Sequence, residues 1–433
     1  MQHNEVVQKL QSNFSTTKNL KESGIPWLGK IPEHWEMTII RSCFDESDVR
    51  CKLENYPLLS VTQEQGIVSQ ENITTKKDVS NDDKGNYKIV PIGGIAYNKM
   101  RMWQGAVGLN EIQEGIVSPA YVVVIPKQHI FSKFALYLFK TPNMIEEFGK
   151  YSYGLCSDMN SLRYEDFQNI SIPLPPLEEQ KAIADFLDKK THQIEEFITK
   201  KQKLIALLEE KKQTLINQCV TQGLDSSTSL KDSGVEWLGK IPTHWEMTKI
   251  KHFCEINPQT NQEIPNHFTY IDLESVTKGV LWKKQVISKE QAPSRAQRIL
   301  QKKDILFQLV RPYQKNNYLF DEDGDYVAST GYAQVRTREY AKFIYYAFLE
   351  DSLIQRIALK CTGSNYPAIT SSDFGDLKIP LPPLEEQKAI AEYLDTQIEK
   401  IDLAICKIKS QINLIKEYKT TLISEAVCGR VGR

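Results

Sequence analysis

The sequence has no segment apolar enough to span a bilayer. Its most apolar short runs, Tyr121 to Ile125 and Phe134 to Phe139, fall far short of the ~20 residues a membrane helix needs. The amino-terminal stretch MQHNEVVQKLQSNF lacks the apolar centre of a secretory signal, so a cytoplasmic protein is expected. There is no excess of charge of either sign: 54 Lys and Arg stand against 55 Asp and Glu. That balance excludes a polycation that holds nucleic acid by bulk charge and leaves only local basic faces to consider. Eight cysteines (Cys43, Cys51, Cys156, Cys219, Cys254, Cys361, Cys406 and Cys428) include no C-x-x-C pair and no regular framework, which reads as a reduced chain.

Catalytic signatures are also missing. No H-E-x-x-H, G-x-S-x-G or spaced Cys/His cluster occurs, and the seven histidines are scattered. There is no Asn/Asp-Pro-Pro-Tyr run to grip an extrahelical base, and no Gly-rich cofactor loop after a strand. Gly24-Ile-Pro-Trp-Leu-Gly29-Lys30, matched by Gly234 to Lys240, has the spacing of a phosphate loop. However, Ile31 and Ile241 stand where magnesium needs Ser or Thr, Pro32 and Pro242 follow, and bulky Trp27 and Trp237 occupy the loop. A structural role fits better, with Trp27 and Trp35, and Trp237 and Trp245, clamping a domain entry, and His34 and His244 packing beside them. No catalytic residue, no metal site and no cofactor in this chain are expected.

What is present is a duplication. With 433 residues, 41% hydrophobic and 25% charged, the chain has ordinary globular composition and length for about three units at roughly 150 residues each. Ser23 to Ile40, SGIPWLGKIPEHWEMTII, returns 210 residues later as SGVEWLGKIPTHWEMTKI, and Ile172 to Ala184, IPLPPLEEQKAIA, returns unchanged 207 residues later at Ile379 to Ala391. Between these anchors the copies diverge, as YNKMRMW at Tyr97 to Trp103 against QLVRPYQ from Gln308. A shared frame around a divergent interior indicates one structural task performed on two targets.

Each copy ends in a helix. Pro175 and Pro176, or Pro382 and Pro383, suit a first turn, and the glutamates that follow complement its dipole. Heptad seams run through Leu187, Thr191, Ile194, Ile198, Lys201, Ile205, Leu208, Lys212, Leu215 and Cys219, and through Leu394, Ile398, Ile401, Ile405, Ile408, Ile412, Ile415, Lys419, Leu422 and Ala426. Gly223 and Gly429 stand where such helices stop. A helix from Glu178 to Cys219 would be about 63 Å long, further than a compact ~150-residue domain readily bridges, so the two helices are expected to pair antiparallel with a domain at each end.

The intervening segments contain short β-branched runs, at Tyr87 to Ile92, Gly115 to Ile125 and Lys303 to Val310, and helical patterns at Phe131 to Lys140 and Ala341 to Glu350. Charge gathers locally. Leu281 to Tyr318 has nine basic and two acidic residues, and Lys76 to Gln104 has six and three, both interleaved with Asn, Gln and aromatics. Arg, Asn and Gln can read base edges while Lys and Arg meet phosphates, although a solvated surface loop has a similar composition. A polar, Gly-containing patch precedes each helix, at Tyr151 to Asn160 and Cys361 to Pro367; it would either approach a nucleic-acid backbone or simply turn the chain.

Two divergent domains, each opened by W-L-G-K-I-P-x-H-W and closed by I-P-L-P-P-L-E-E-Q-K-A-I-A with a heptad helix, resemble the specificity subunit of Type I restriction-modification systems. The resemblance implies an α+β fold with two α/β-mixed target recognition domains, 1–171 and 225–378. The central and distal conserved regions, 172–224 and 379–433, would form an antiparallel two-helix coiled coil holding them apart, related by a pseudo-two-fold axis. It further implies a non-catalytic subunit bound to double-stranded DNA and to two modification subunits that methylate adenine N6 with S-adenosylmethionine. Two restriction subunits using ATP and magnesium can join, though a methylation-only system has the same specificity subunit. By position, DNA contacts are expected from Lys99, Arg101, Trp103, Gln104, Ser152, Tyr153 and Asn160 in the first domain, and from Gln308, Arg311, Tyr313, Gln314, Lys315, Ser364, Asn365 and Tyr366 in the second. Two other readings fit parts of the sequence: a coiled-coil protein-interaction scaffold, and a self-contained restriction or methylation enzyme.

Overall fold

The computed structural model describes residues 19–51, 56–72, 84–154 and 160–431; Lys76, Lys77, Cys156 and the centre of the 151–160 loop lie outside the described residues. The chain forms two compact units, one from residues 1–200 and 410–433, the other from residues 201–409. This division passes through both long helices, Leu177–Gln222 and Leu384–Val427, which run 46 and 44 residues without a break. Each unit therefore contains the start of one long helix and the end of the other. No described helix is long and apolar enough to cross a membrane.

The first unit contains β1 (Glu36–Ile39), β2 (Phe44–Ser47), β3 (Ile95–Asn98), β4 (Val107–Leu109), β5 (Tyr121–Pro126), α1 (Ser132–Phe139), α2 (Pro142–Lys150) and β6 (Ser171–Leu174). Four of its strands form an antiparallel sheet in the order β2-β5-β3-β4, and β1 pairs with β6. The valine run in β5 lies in the sheet interior and is covered on both faces, which is why it shows no polar alternation. Val122 and Val124 join the main core under α1 and α2, while Val123 joins a second cluster with Leu59, Val61 and Ile67. Helix α2 begins with Thr141, whose hydroxyl accepts from Met144 N–H, followed by Pro142 in the first turn.

The second unit contains β7 (Glu246–Lys249), β8 (Cys254–Ile256), β9 (His267–Ile271), β10 (Gln285–Ser288), β11 (Ala296–Ile299), β12 (Ile305–Gln308), β13 (Tyr318–Leu319), β14 (Tyr326–Ser329), β15 (Tyr332–Thr337), α3 (Ala341–Ala347), α4 (Asp351–Lys360) and β16 (Lys378–Leu381). The sheet β8-β15-β12-β13 and the pair β7/β16 repeat the arrangement of the first unit strand for strand. The difference is inserted between β8 and β15: a further sheet, β10-β9-β14-β11, with β9 parallel to β14. In the first unit the corresponding stretch makes the hairpin Leu59–Thr62/Gly66–Ser69 and the pair Lys88–Val90/Gly115–Val117.

The repeated sequence anchors fix the helix starts. Gln180 is fully buried; its amide donates to the Pro175 and His129 carbonyls and accepts from Phe131 N–H. Gln387 repeats this, donating to Pro382 O and the Glu339 carboxylate and accepting from Tyr340 N–H. Further along, Asp188 accepts from Tyr137 Oη and pairs with Lys133, as Asp395 does with Tyr346 and Lys342. His34 and His244 bond Glu179 and Glu386 at 2.8 and 2.9 Å, so the two repeated histidines hold helix starts.

The W-L-G-K-I-P-x-H-W segment also receives the end of the other long helix. Gly429, at φ 72°, lies so close to Pro32 that a Cβ there would sit 2.5 Å from the ring, and Gly223, at φ 77°, faces Trp245. Trp35 and Trp245 are fully buried, and Trp27 and Trp237 pack against the same cores. In the phosphate-loop look-alike, Leu28 and Gly29 N–H donate to Ile25 O, and Ser23 N–H to Gly29 O, so these amides are spent within the turn.

Every heptad-seam position is buried or half-buried. In the first unit Leu187 and Ile194 share a core with Leu422 and Ala426, and Lys419 reaches Glu195 at 2.7 Å. In the second, Ile216 and Cys219 share a core with Ile390 and Leu394, and Lys212 reaches Asp402 at 2.8 Å. The start of one helix thus packs on the end of the other within each unit, and the polar seam lysines find carboxylates there. Gln387→Ala should lower unfolding stability by about 3 kcal/mol, because it strands buried partners. Its half-exposed neighbour Lys388→Ala should change it by less than ~0.5 kcal/mol; denaturant titration of the two variants distinguishes a buried lock from a surface contact.

Candidate nucleic-acid interface

In each unit the polar segment after the third sheet strand lies beside the polar loop that precedes the long helix. In the first unit β3 ends at Asn98, whose carboxamide oxygen accepts from Met100 N–H. The chain then makes a short 3-10 turn at Met102–Gln104, pinned by buried Met102 and closed by Gly105 at φ 82°. Lys99 and Arg101 project from this tip without a carboxylate partner among the described residues. Arg101 and Gln63 both donate to Gln104 Oε1, and Trp103 Nε1 donates to Met100 O. Leu162 N–H donates to Lys99 O at 2.9 Å, which ties the chain at Leu162 to the base of the tip. Tyr153 is 64% exposed there and Asn160 half-buried, whereas Ser152 is buried and caps α2 by donating to Phe148 O.

The second unit builds the same feature with different chemistry. After β12 the chain enters a 3-10 turn, Pro312–Gln314, flanked by Arg311 at φ 54° and Lys315 at φ 53°, both left-handed without being glycine. Such conformations cost of order 1–3 kcal/mol each and persist only where the surroundings hold them. Here Arg311 N–H donates to Pro367 O, its guanidinium donates to Asn365 O, and it lies 4.6 Å from the centre of the Tyr366 ring. Lys315 Nζ is drawn to Leu349 O and the Asp351 carboxylate. Gln308 is only 2% exposed and donates to Gln314 Oε1, which leaves Tyr313, Gln314, Ser364, Asn365 and Tyr366 as the exposed members. Of the residues expected to contact DNA, Gln308 and Ser152 thus lie beneath the surface, and half-buried Lys315 is committed to Asp351.

Three-dimensional pairing changes the charge picture. Within Leu281 to Tyr318, Lys283, Lys284, Lys289, Lys302 and Lys315 each meet an acid from outside that stretch: Asp272, Glu322, Glu263, Asp323 and Asp351. Arg295, Arg298, Lys303 and Arg311 have no carboxylate partner among the described residues, and burial pulls the Arg298 guanidinium below its usual value. In the first unit Lys88 is buried against Glu46 and Asp48 and is not a surface cation. Lys140, at the end of α1, reaches the Gln63 carbonyl and is pulled below the usual lysine value by burial and by nearby Lys419.

A cleft in the second unit is lined by Gln308, Arg311, Gln314 and Tyr366 together with Asp272, Glu274, Arg295, Asn316 and Thr330. Guanidinium, amide and carboxylate groups side by side match the donor and acceptor edges of base pairs. Arg295, Asp272, Glu274 and Thr330 are not among the contacts expected from sequence. Asp272, Glu274 and Thr330 arrive through the parallel β9/β14 pairing and Arg295 through the antiparallel β11/β14 pairing, which join distant segments and leave no local spacing signal. Among the described residues no group of three His, Cys, Asp or Glu side chains could hold a metal ion.

Known proteins share this fold and its sequence frame. The model of the type I restriction modification DNA specificity domain matches residues 41–207 and 242–414. The Type I restriction enzyme MjaVIII specificity subunit of Methanocaldococcus jannaschii is 27% identical over 420 residues, 91% of this chain and 93% of its own length. A chain solved in work on complex assembly and conformational transition of the type I R-M system matches with a TM-score of 0.70 at 16% identity, covering 93% of this chain and 99% of that one. The HsdS subunit from Thermoanaerobacter tengcongensis matches with a TM-score of 0.55 at 16% identity, over 93% and 98%. Tyr366→Ala should free the Arg311 guanidinium and weaken binding of duplex carrying the recognised site by about 2- to 5-fold, from the ~0.5–1 kcal/mol of an exposed cation–π contact. Tyr366→Phe should leave it unchanged; fluorescence anisotropy measures both.

Proposed function

The chain belongs to the type I restriction-modification DNA specificity family, and from that membership we propose how its two units divide the work. Each unit reads one half of an asymmetric, two-part DNA site. The first uses Lys99, Arg101, Trp103 and Gln104 with Tyr153 and Asn160. The second uses Arg311, Tyr313 and Gln314 with Ser364, Asn365 and Tyr366. Gln308, Lys315 and Ser152 position these groups from below. The observation that carries this reading is that both units put a 3-10 turn at the same place on the same sheet yet furnish it with different side chains. A common frame with unlike readers suits two different half-sites.

In the same proposal the two long helices pair antiparallel as a coiled coil and set the unread gap between half-sites. Seam burial and the pairs Lys419–Glu195 and Lys212–Asp402 support it. Leu204, Leu207 and Leu403 are exposed on those helices and suit the docking of a modification subunit. The chain itself catalyses nothing: S-adenosylmethionine-dependent methylation of adenine N6 belongs to the modification subunits, and ATP- and magnesium-dependent cleavage to restriction subunits where a system has them. The near-zero net charge fits a subunit whose partners share the phosphate contacts. Exchanging residues 225–378 for the matching segment of another specificity subunit should change one half of the methylated site and leave the other intact. A methylation map with both halves changed overturns the division.

A further inference from the structure

Besides the reading surface, the second unit has a cleft of about 680 Å³ between the Gly234 to Trp237 turn, the end of α4 and the start of β16. Arg356, Lys360 and Lys378 line it, all three exposed and none with a carboxylate partner among the described residues. Two acids share the wall. Asp376 is taken by Lys249 and Lys251 at 2.9 and 2.8 Å, whose hydrogen bonds hold its carboxyl down at about 2, and Glu236 is exposed.

The duplication supplies an internal control. Thr141 and Glu350 cap equivalent helices, and β6 is equivalent to β16, so Glu147, Tyr151 and Ser171 occupy the places of Arg356, Lys360 and Lys378. The frame of the repeat does not require these cations, since the first unit folds the same way without them. Lys360 leads directly into the 361–367 loop, so the cleft and the reading surface share one helix end. We propose that this cleft grips backbone phosphates of duplex DNA flanking the half-site read by the second unit, a sequence-independent hold that the first unit lacks. The proposal rests on the DNA-reading role assigned above to the second unit. An acidic protein surface is the other partner such a cleft would fit, but adjacency to the reading loop favours the duplex that the loop already engages.

The test uses the subunit assembled with its modification subunits and the combined variant Arg356→Gln, Lys360→Gln, Lys378→Gln. With duplex carrying the site and long flanks, the slope of log K against log salt should fall by about 2 to 3, near 0.9 for each phosphate that is no longer neutralised. Affinity should drop for specific and scrambled duplex alike, trimming the flank on the second unit's side should erase the difference, and the methylated bases should stay the same. An unchanged slope overturns the grip, as does dissociation of a modification subunit from the assembly, which would make the cleft a protein dock. Arg311→Ala, measured in parallel, reports on the reading itself: if preference for the recognised site survives in that variant, the reading fails, whereas a triple variant with full slope removes only the grip.

Discussion

Everything in this molecule depends on how firmly each long helix is seated at its first turn. A helix of 46 residues is ~69 Å long, so a few degrees of slack at its base would move its far end by several ångströms. The seat is polar. Gln180 and Gln387 are buried without exposure and use both ends of the amide on backbone and side-chain partners. An apolar residue there would fill space without fixing direction, because dispersion contacts tolerate rotation and hydrogen bonds do not. Tyr137 with Asp188, and Tyr346 with Asp395, add a second point of attachment, and two points define an axis.

This explains why parts of the chain that contact no expected ligand are the parts that repeat most closely. The Leu-Pro-Pro-Leu-Glu-Glu-Gln run is the seat itself, and the Trp-Leu-Gly-Lys-Ile-Pro segment is the wall that meets Glu179 or Glu386 through its histidine and receives Gly429 or Gly223 from the other helix. Both were legible in the sequence because local chemistry fixes them: Pro at a helix start, Gly at a helix stop, and a seam every three or four residues. The sheet order was not legible. Strands such as β8 and β15, or β9 and β14, are joined by long intervening segments, and nothing within either strand names its partner. The two segments proposed to read DNA stand out in the sequence as divergent polar stretches, but which of their side chains face outward was not legible. Gln308 and Lys315 look like ideal DNA contacts in the sequence, and only the left-handed turn between them, with Gln314 and Asn316 holding the Gln308 carboxamide and Asp351 the Lys315 amine, turns them inward.

The local charge excess in the sequence was similarly incomplete. A run of lysines suggests a phosphate-binding stripe, yet five of its nine cations meet carboxylates that lie elsewhere in the chain. Exposed pairs of this kind contribute roughly 0–1 kcal/mol and are screened by salt, so they shape the surface more than they stabilise it. The unpaired arginines that remain are fewer and better defined. Arg311, stacked on Tyr366 and tied to Asn365, has much of its side-chain freedom removed before any ligand arrives, which favours selectivity over bulk attraction.

The most direct measurement concerns the gap between the half-sites. Adding one heptad to each long helix, within 195–205 and 408–418, lengthens each by about 10 Å at 1.5 Å per residue, equivalent to about three base pairs of duplex. If the helices set the distance between two readers, the map of methylated adenines in cells carrying this variant will show the same bases in both halves, separated by about three more base pairs. An unchanged gap, with methylation intact, would contradict it.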